Sequence, residues 1–303
     1  MRIIRFRTSD GRVILSDDQG DGDGTVVLDA DGILGPRQAD LADREMLRGK
    51  HAKVADAIRA SDNGHFGPLV RTVERVRTAE KILAPMVPRD ILCVGRNYRD
   101  PERDPEGEPG SAGDLELFMK PRSAVQDPGG PIRIPPGDPD PDIDVEGELA
   151  VVIGSEARNV AEADALGHVL GYVAANDVTA RRWRRGDVPM TWMRGKGFDT
   201  FCPIGPAIVT PDELPDPASL AITTSVNGRI VRRGNTSQMI RTVARLISEI
   251  SRVITLGPGT LLLTGAPPPV SGRPMRGLRD GDEVCVEIEG VGRLVNTVTS
   301  SQT

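Results

Sequence analysis

The chain has no surplus of positive charge: 38 Lys plus Arg stand against 44 Asp plus Glu, a formal net charge of −6 at pH 7. That balance removes the electrostatic case for nucleic acid as a partner. No run approaches the roughly 20 apolar residues that cross a bilayer, so no membrane partner is expected. The first residues, Met1-Arg2-Ile3-Ile4-Arg5-Phe6, carry no apolar stretch of signal-peptide length. Cysteine is scarce and odd in number: Cys93, Cys202 and Cys285 lie far apart, in or beside apolar strand-like runs. No pair has metal-ligand spacing, so buried free thiols in a reduced cytoplasm are the expectation. Histidine is limited to His51, His65 and His168.

Gly (34) and Pro (25) are plentiful, and hydrophobic content is a modest 38%. That favours a loop-rich, β-rich fold over a helical bundle. The 303 residues suffice for one large and one smaller domain. Residues 1–85 read as a small N-terminal α+β unit. Ile3 to Phe6 and Arg12 to Leu15 form a strand pair about Asp10-Gly11, Asp21-Gly22-Asp23-Gly24 is a turn cluster, and residues 38–60 have helical spacing. Pro85 and Pro88 mark the join to a second unit, 86–303. Residues 99–114 mix charge with Pro and Gly and read as a loop or lid. The apolar spacing of Met239, Ile240, Val243, Leu246, Ile247 and Ile250 predicts one helix over 236–252, capped near Thr236 or Ser237.

The most telling stretch is Asp142-Ile143-Asp144-Val145-Glu146-Gly147-Glu148, which runs into the strand-like Leu149 to Ile153. Strand side chains alternate, so Glu146 and Glu148 point the same way, about 7 Å apart, with Gly147 leaving the other face clear. Two like charges beside a run that wants burial call for a counter-ion. A third carboxylate, Asp177, ends the apolar run beginning at Gly171-Tyr172-Val173. Three carboxylates without a nearby His or Cys make a hard oxygen site, suited to Mg²⁺ or Mn²⁺ and poorly to Zn²⁺.

These motifs, with Arg194-Gly195-Lys196-Gly197-Phe198-Asp199-Thr200-Phe201, Leu263-Thr264-Gly265, Cys93-Val94-Gly95-Arg96-Asn97-Tyr98, Leu117-Phe118-Met119-Lys120-Pro121 and Val226-Asn227-Gly228, resemble the fumarylacetoacetate hydrolase family over about residues 90–298. The resemblance implies a mixed β-sandwich roll with peripheral helices, a homodimer, and a divalent-metal-dependent enzyme on a 2-oxo or 1,3-dicarbonyl acid. C–C hydrolysis is the family's most frequent reaction. It further implies Glu146, Glu148 and Asp177 as metal ligands and Lys196 as oxyanion support. Arg96, Tyr98 and Arg181 are implied on the substrate side, with Arg181 alternatively ion-paired to Asp187 or Glu148. Lys120 is implied in a structural role.

The departures from the pattern are as informative. The water-activating His and Glu of the family's hydrolases correspond here to Pro101 and Asp104, and proline takes no proton. An expected Gln is Arg184, which becomes a further substrate-side cation. Thr-Gly-Thr-Pro becomes Thr264-Gly265-Ala266-Pro267, and the following Gly-Val-Gly is Pro269-Val270-Ser271. Loss of a general base costs about 10²–10⁴-fold. Decarboxylation, isomerisation, or a dehydration or cyclisation of a related oxo-acid therefore stand beside hydrolysis, as does a catalytically weakened binding member. Asp104 or Glu102 would supply the proton-transfer group if the loop folds inward.

Overall fold

The computed structural model describes residues 2–8, 13–17, 27–28, 79–99, 114–135, 142–184, 192–270 and 277–300. The expected turn at Asp21 to Gly24, the helical spacing at 38–60, His51, His65, and residues 100–113 of the expected lid lie outside them. The chain is α+β and β-rich. Its strands are β1 (Arg2–Thr8), β2 (Val13–Asp17), β3 (Val27–Leu28), β4 (Ala79–Leu83), β5 (Ile91–Val94) and β6 (Leu117–Lys120). There follow β7 (Val125–Gln126), β8 (Pro131–Ile134), β9 (Ile143–Asp144), β10 (Gly147–Ile153), β11 (Val169–Asn176) and β12 (Thr179–Ala180). The last are β13 (Cys202–Val209), β14 (Ala221–Val226), β15 (Arg229–Asn235), β16 (Leu261–Leu263), β17 (Glu283–Ile288) and β18 (Gly292–Ser300).

The large mixed sheet runs β3-β2-β1-β13-β11-β10-β16-β5-β6, with β4 on β1 and β7 on β13. A second sheet runs β15-β14-β17-β18-β8, and β12 pairs β9 alone. The run Leu149 to Ile153 is apolar at every position because β10 is covered on both faces. Leu149, Val151 and Ile153 share one core with Ile222 of β14 and Val286 and Ile288 of β17. Ala150 and Val152 share another with Ile91, Cys93 and Cys202. Side-chain alternation puts Glu148 on the Ala150 face. All three cysteines are buried free thiols.

The expected N-terminal strand pair forms, with Arg5 opposite Leu15. β1 also pairs with β13, Ile3 opposite Ile208. Strands on the N-terminal side of the expected join are thus hydrogen-bonded into the sheet that carries the acids.

The helix expected over 236–252 is two elements. Asn235 caps a single 3₁₀ turn, Thr236–Gln238, in a reciprocal box. Its side chain accepts from Ser237 N at 2.9 Å, and Gln238 Oε1 accepts from Asn235 N at 2.8 Å. Ile240 N then donates to Asn97 O at 2.7 Å and Arg241 N to Asn97 Oδ1 at 2.9 Å, which holds this stretch out of helical geometry. The α-helix is Val243–Ser251, capped by Thr242, whose side chain accepts from Arg245 N. Two shorter helices, α1 (Arg181–Arg184) and α2 (Trp192–Lys196), precede it, which makes Val243–Ser251 α3. Among the described residues, no helix is long and apolar enough to cross a membrane.

Candidate active site

The β10–β11 ladder brings the three predicted carboxylates together. Gly147 lies opposite Asn176 and Glu148 opposite Ala175, so Glu146 and Asp177 flank the end of one strand pair. Their backbones interlock: Asp177 N donates to Glu146 O at 2.8 Å, and Glu146 N donates to Asn176 Oδ1 at 3.0 Å. One oxygen from each of Glu146, Glu148 and Asp177 lies within 4.8 Å of the others. On the far side of β10, Thr264 Oγ1 donates to Leu149 O at 2.7 Å, and Gly265 N donates to Glu148 Oε2 at 2.6 Å. Gly265 reaches this position with φ +94°, and a Cβ there would meet Asn97 Cβ at 2.9 Å.

Gly147 has a steric function as well. A Cβ on it would lie 2.2 Å from Thr224 Oγ1 and 2.9 Å from Val286 Cγ1. The glycine between the two glutamates therefore lets the second sheet close against the strand that carries them.

Lys196 ends α2 and is buried. Its Nζ donates to Glu146 Oε2 at 2.6 Å, Asp177 Oδ2 at 2.6 Å and Thr179 Oγ1 at 2.8 Å. The ammonium also lies 5.2 Å from the Phe118 ring centre. Lys120, read from sequence as structural, belongs to the same cluster: its Nζ donates to Asp177 Oδ1 at 2.5 Å and to Val178 O at 3.2 Å. Burial disfavours the charged Lys196, but Asp177 and Glu146 outweigh it and push its pKa up. Burial likewise opposes ionisation of Glu146, yet the Lys196 and Arg232 charges hold it down to about 2. Glu148 goes the other way: burial first, then the charges of Asp177 and Glu146, push it well above the usual carboxylate range.

Asp144 and Arg232 were not found from sequence. Asp144 is buried and opposes Thr179 in the β9–β12 pair. Arg232 Nη2 donates to its Oδ2 at 2.6 Å. Arg181, expected near substrate or against Asp187 or Glu148, pairs instead with Asp144 and, at 3.3 Å, with Asp142. The β9–β12 register sets it beside these acids, Arg181 N donating to Asp142 O at 3.1 Å. Asp187 lies outside the described residues.

Arg96, with φ +47°, pairs with Glu116 and stands 5.7 Å from the Trp192 ring centre. Arg184 stands 5.4 Å from the same ring, and its charge acts on Glu146. Tyr98 is buried, and its hydroxyl has no hydrogen-bond partner among the described residues. Burial, then the charge of Glu148, raises its pKa. Asn97 is structural: its Nδ2 donates to Thr264 O at 2.8 Å and Arg241 O at 3.0 Å, tying the Arg96–Tyr98 turn to the Gly265 turn. His168 is away from the cluster, its Nδ1 3.2 Å from Ser155 Oγ. Pro101, Glu102 and Asp104 lie outside the described residues.

Thr179, Asp144 and Arg232 gave only weak sequence signals. The Asn227-Gly228 turn marks a hairpin that delivers Arg232, but which arginine of Arg229, Arg232 and Arg233 faces inward depends on the second sheet's packing.

The donor set fits a hard divalent cation. All three groups are carboxylates; Lys196 pairs with Glu146 and Asp177, Lys120 with Asp177, and Arg232 lies 3.6 Å from Glu146. Glu148 accepts from a backbone amide rather than from a cationic side chain. Such oxygen-only donor sets suit hard divalent cations over soft ones.

With this geometry established, four similarities bear on function. The family model for the fumarylacetoacetate (FAA) hydrolase C-terminal region matches residues 90–299. The mitochondrial oxaloacetate tautomerase of Xenopus laevis is 41% identical over 225 residues, covering 73% of this chain and 69% of that protein. Of solved structures, a 5-carboxymethyl-2-hydroxymuconate delta-isomerase from Mycobacterium smegmatis aligns with TM-score 0.72 and 32% identity over 100% of both chains. A fumarylacetoacetate hydrolase from Exiguobacterium antarcticum aligns with TM-score 0.74 and 32% identity over 99% of this chain and 100% of that one.

Proposed function

The chain belongs to the fumarylacetoacetate hydrolase family, and within it we propose an enzyme that moves a proton between carbon and oxygen of a small 2-oxo acid, a keto–enol tautomerase or isomerase. The observation that carries this reading is the buried Lys196 ammonium, hydrogen-bonded to Glu146, Asp177 and Thr179 at the edge of the carboxylate cluster. It is a fixed hydrogen-bond donor for an enolate oxygen, and it needs no positioned water. Pro101, where the resemblance expects the water-activating histidine, points the same way.

Glu146, Glu148 and Asp177 would hold one Mg²⁺ or Mn²⁺. Bound there, the cation would supply Lewis acidity toward the substrate's 2-oxo and carboxylate oxygens. Lys196 has three N–H groups and three acceptors, so a substrate oxygen must displace one of them. Glu146 is the cheapest to displace because it is the most solvent-accessible of the three. In ketonisation Lys196 stays an ammonium and donates to the substrate oxygen, the enol O–H proton passes to the Glu146 carboxylate that Lys196 has released, and a proton is added at C3; enolisation reverses both transfers. Asp104, with Glu102 second, is proposed for the carbon-side transfer. Arg184 and Arg96, both close to the Trp192 ring, are proposed to orient the substrate's charged end, and Tyr98 to donate to a substrate oxygen. The assembly is proposed as a cytoplasmic homodimer.

C–C hydrolysis of a 1,3-dicarbonyl acid is the second reading, favoured by the alignment with the Exiguobacterium hydrolase over nearly the whole chain. The two separate in one assay set. Decay of the oxaloacetate enol is followed by ultraviolet absorbance with Mg²⁺ or Mn²⁺, in parallel with pyruvate release and acylpyruvate cleavage. Faster enol decay without cleavage is expected. Cleavage of an acylpyruvate with unchanged enol decay would establish the hydrolase instead.

A further inference from the structure

Asp142, Asp144, Glu146 and Glu148 alternate along one approach to the sheet, so the chain presents a row of four acids rather than an isolated pair. The structure sorts them. Asp142 and Asp144 face Arg181, and Asp144 also takes Arg232. Glu146 takes Lys196, with Arg232 Nη2 only 3.6 Å from its other oxygen. Arg232 is buried and extends from β15 of the second sheet. Its fork makes three contacts at once: Nε to Val145 O at 2.7 Å, Nη1 to Pro267 O at 2.8 Å and Nη2 to Asp144 Oδ2 at 2.6 Å. Val145 precedes Glu146, and Pro267 lies two residues past Gly265, the amide donor to Glu148. One guanidinium thus fixes the segments on both sides of the donor set.

We propose that Arg232 is a positioning residue for the cation site: it keeps Asp144 out of the donor set and holds Glu146 and the Gly265 turn around one shared point. This rests on the reading that Glu146, Glu148 and Asp177 bind one divalent cation. A planar fork is needed because the three acceptors lie in different directions; an ammonium carries the charge but cannot span them.

The test uses Mn²⁺ alone on the full chain, with affinity and stoichiometry from calorimetry and the electron paramagnetic resonance spectrum of the bound ion. Arg232→Lys keeps the charge and loses the fork. Asp144→Asn removes the anchor without changing shape. Both should fold, which circular dichroism melts would verify, whereas Arg232→Met leaves Asp144 with Arg181 alone and strips Val145 O and Pro267 O of their donor. Wild type should bind one Mn²⁺ per chain. Arg232→Lys should weaken binding by about tenfold or more, as loss of an outer-shell partner does, and should alter the resonance line shape. Asp144→Asn should move both in the same direction. Lower melting temperatures with unchanged Mn²⁺ affinity in both variants would reduce Arg232 to a structural tie and overturn the proposal alone. Failure of wild type to bind Mn²⁺ would overturn the cation reading and this proposal with it.

Discussion

Lys196 gives all three of its hydrogens to neighbours, and this sets what its removal should do. Lys196→Met leaves Glu146 and Asp177 without their shared cation and removes the donor to a developing oxyanion. A preorganised donor of this kind is worth about 10²–10³ in kcat. Lys196→Met should therefore slow enol turnover by that order, with a smaller change in KM; an unchanged kcat would remove Lys196 from the chemistry. At this scale the sequence shows whatever is local. Glu146 and Glu148 are two apart on a strand, Asp177 closes an apolar run, and Lys196 sits between glycines. Lys120 was legible as a motif member but not as a partner of Asp177, because their strands, β6 and β11, are not neighbours in the sheet. Asp144 and Arg232 were illegible for the same reason: their contact joins two sheets. Arg181 misled because an arginine four residues after a site acid has the same pattern whether it meets substrate or Asp144.

Among the elements, β10 and α3 show opposite degrees of legibility. The strand was readable because both its faces are buried and its apolar run is continuous. The function of Gly147 was half readable: the glycine does clear a face, and what needs the space is Thr224 Oγ1, 2.2 Å from where a Cβ would stand. Gly147→Ala should cost about 1–3 kcal/mol by overpacking, and Thr224→Ala should recover part of that in the double variant because the sites touch. Additive losses in urea unfolding would show that the strain lies elsewhere. The α3 boundary was missed because periodicity does not see the Asn97 contacts that break the run before Thr242. Within α3, burial works against ionisation of Glu249, but hydrogen bonds from Arg245 at 2.6 Å and Arg241 at 2.8 Å outweigh it and lower its pKa. The folded-state pKa lies below an unfolded value near about 4.3. The stabilisation is therefore fully present above that value and lost as pH falls through the folded one. Discounted for its partly solvated position, it is about 0.5–1 kcal/mol. Wild type should melt above Glu249→Gln at neutral pH, with the gap closing below about pH 4; a gap independent of pH would contradict the ion-pair account.

At the scale of the whole molecule, the question is whether the N-terminal strands and the site unfold together. The proposed division at residue 85 follows a change in sequence character, and sequence character does not report the β1–β13 pairing that sets Ile3 opposite Ile208. Ile3 is 4% exposed and belongs to one core cluster with Ile208, Leu170 and Val173, so its packing is continuous with the face of β11, the strand that delivers Asp177. Both tryptophans of the chain, Trp183 and Trp192, stand on α1 and α2 beside the site, and their fluorescence therefore reports the site alone. Ile3→Ala removes a buried side chain at a cost of about 2–5 kcal/mol. If β1 and the site are one cooperative unit, the unfolding free energy seen by tryptophan in urea should fall by that amount, the midpoint dropping with an unchanged slope. Mn²⁺ affinity well below the transition should stay at the wild-type value, since Ile3 lies in the apolar cluster and outside the carboxylate group. If residues 1–85 unfold as a unit of their own, the tryptophan midpoint stays where it was, and the β1–β13 pairing contributes nothing to holding Asp177 in place.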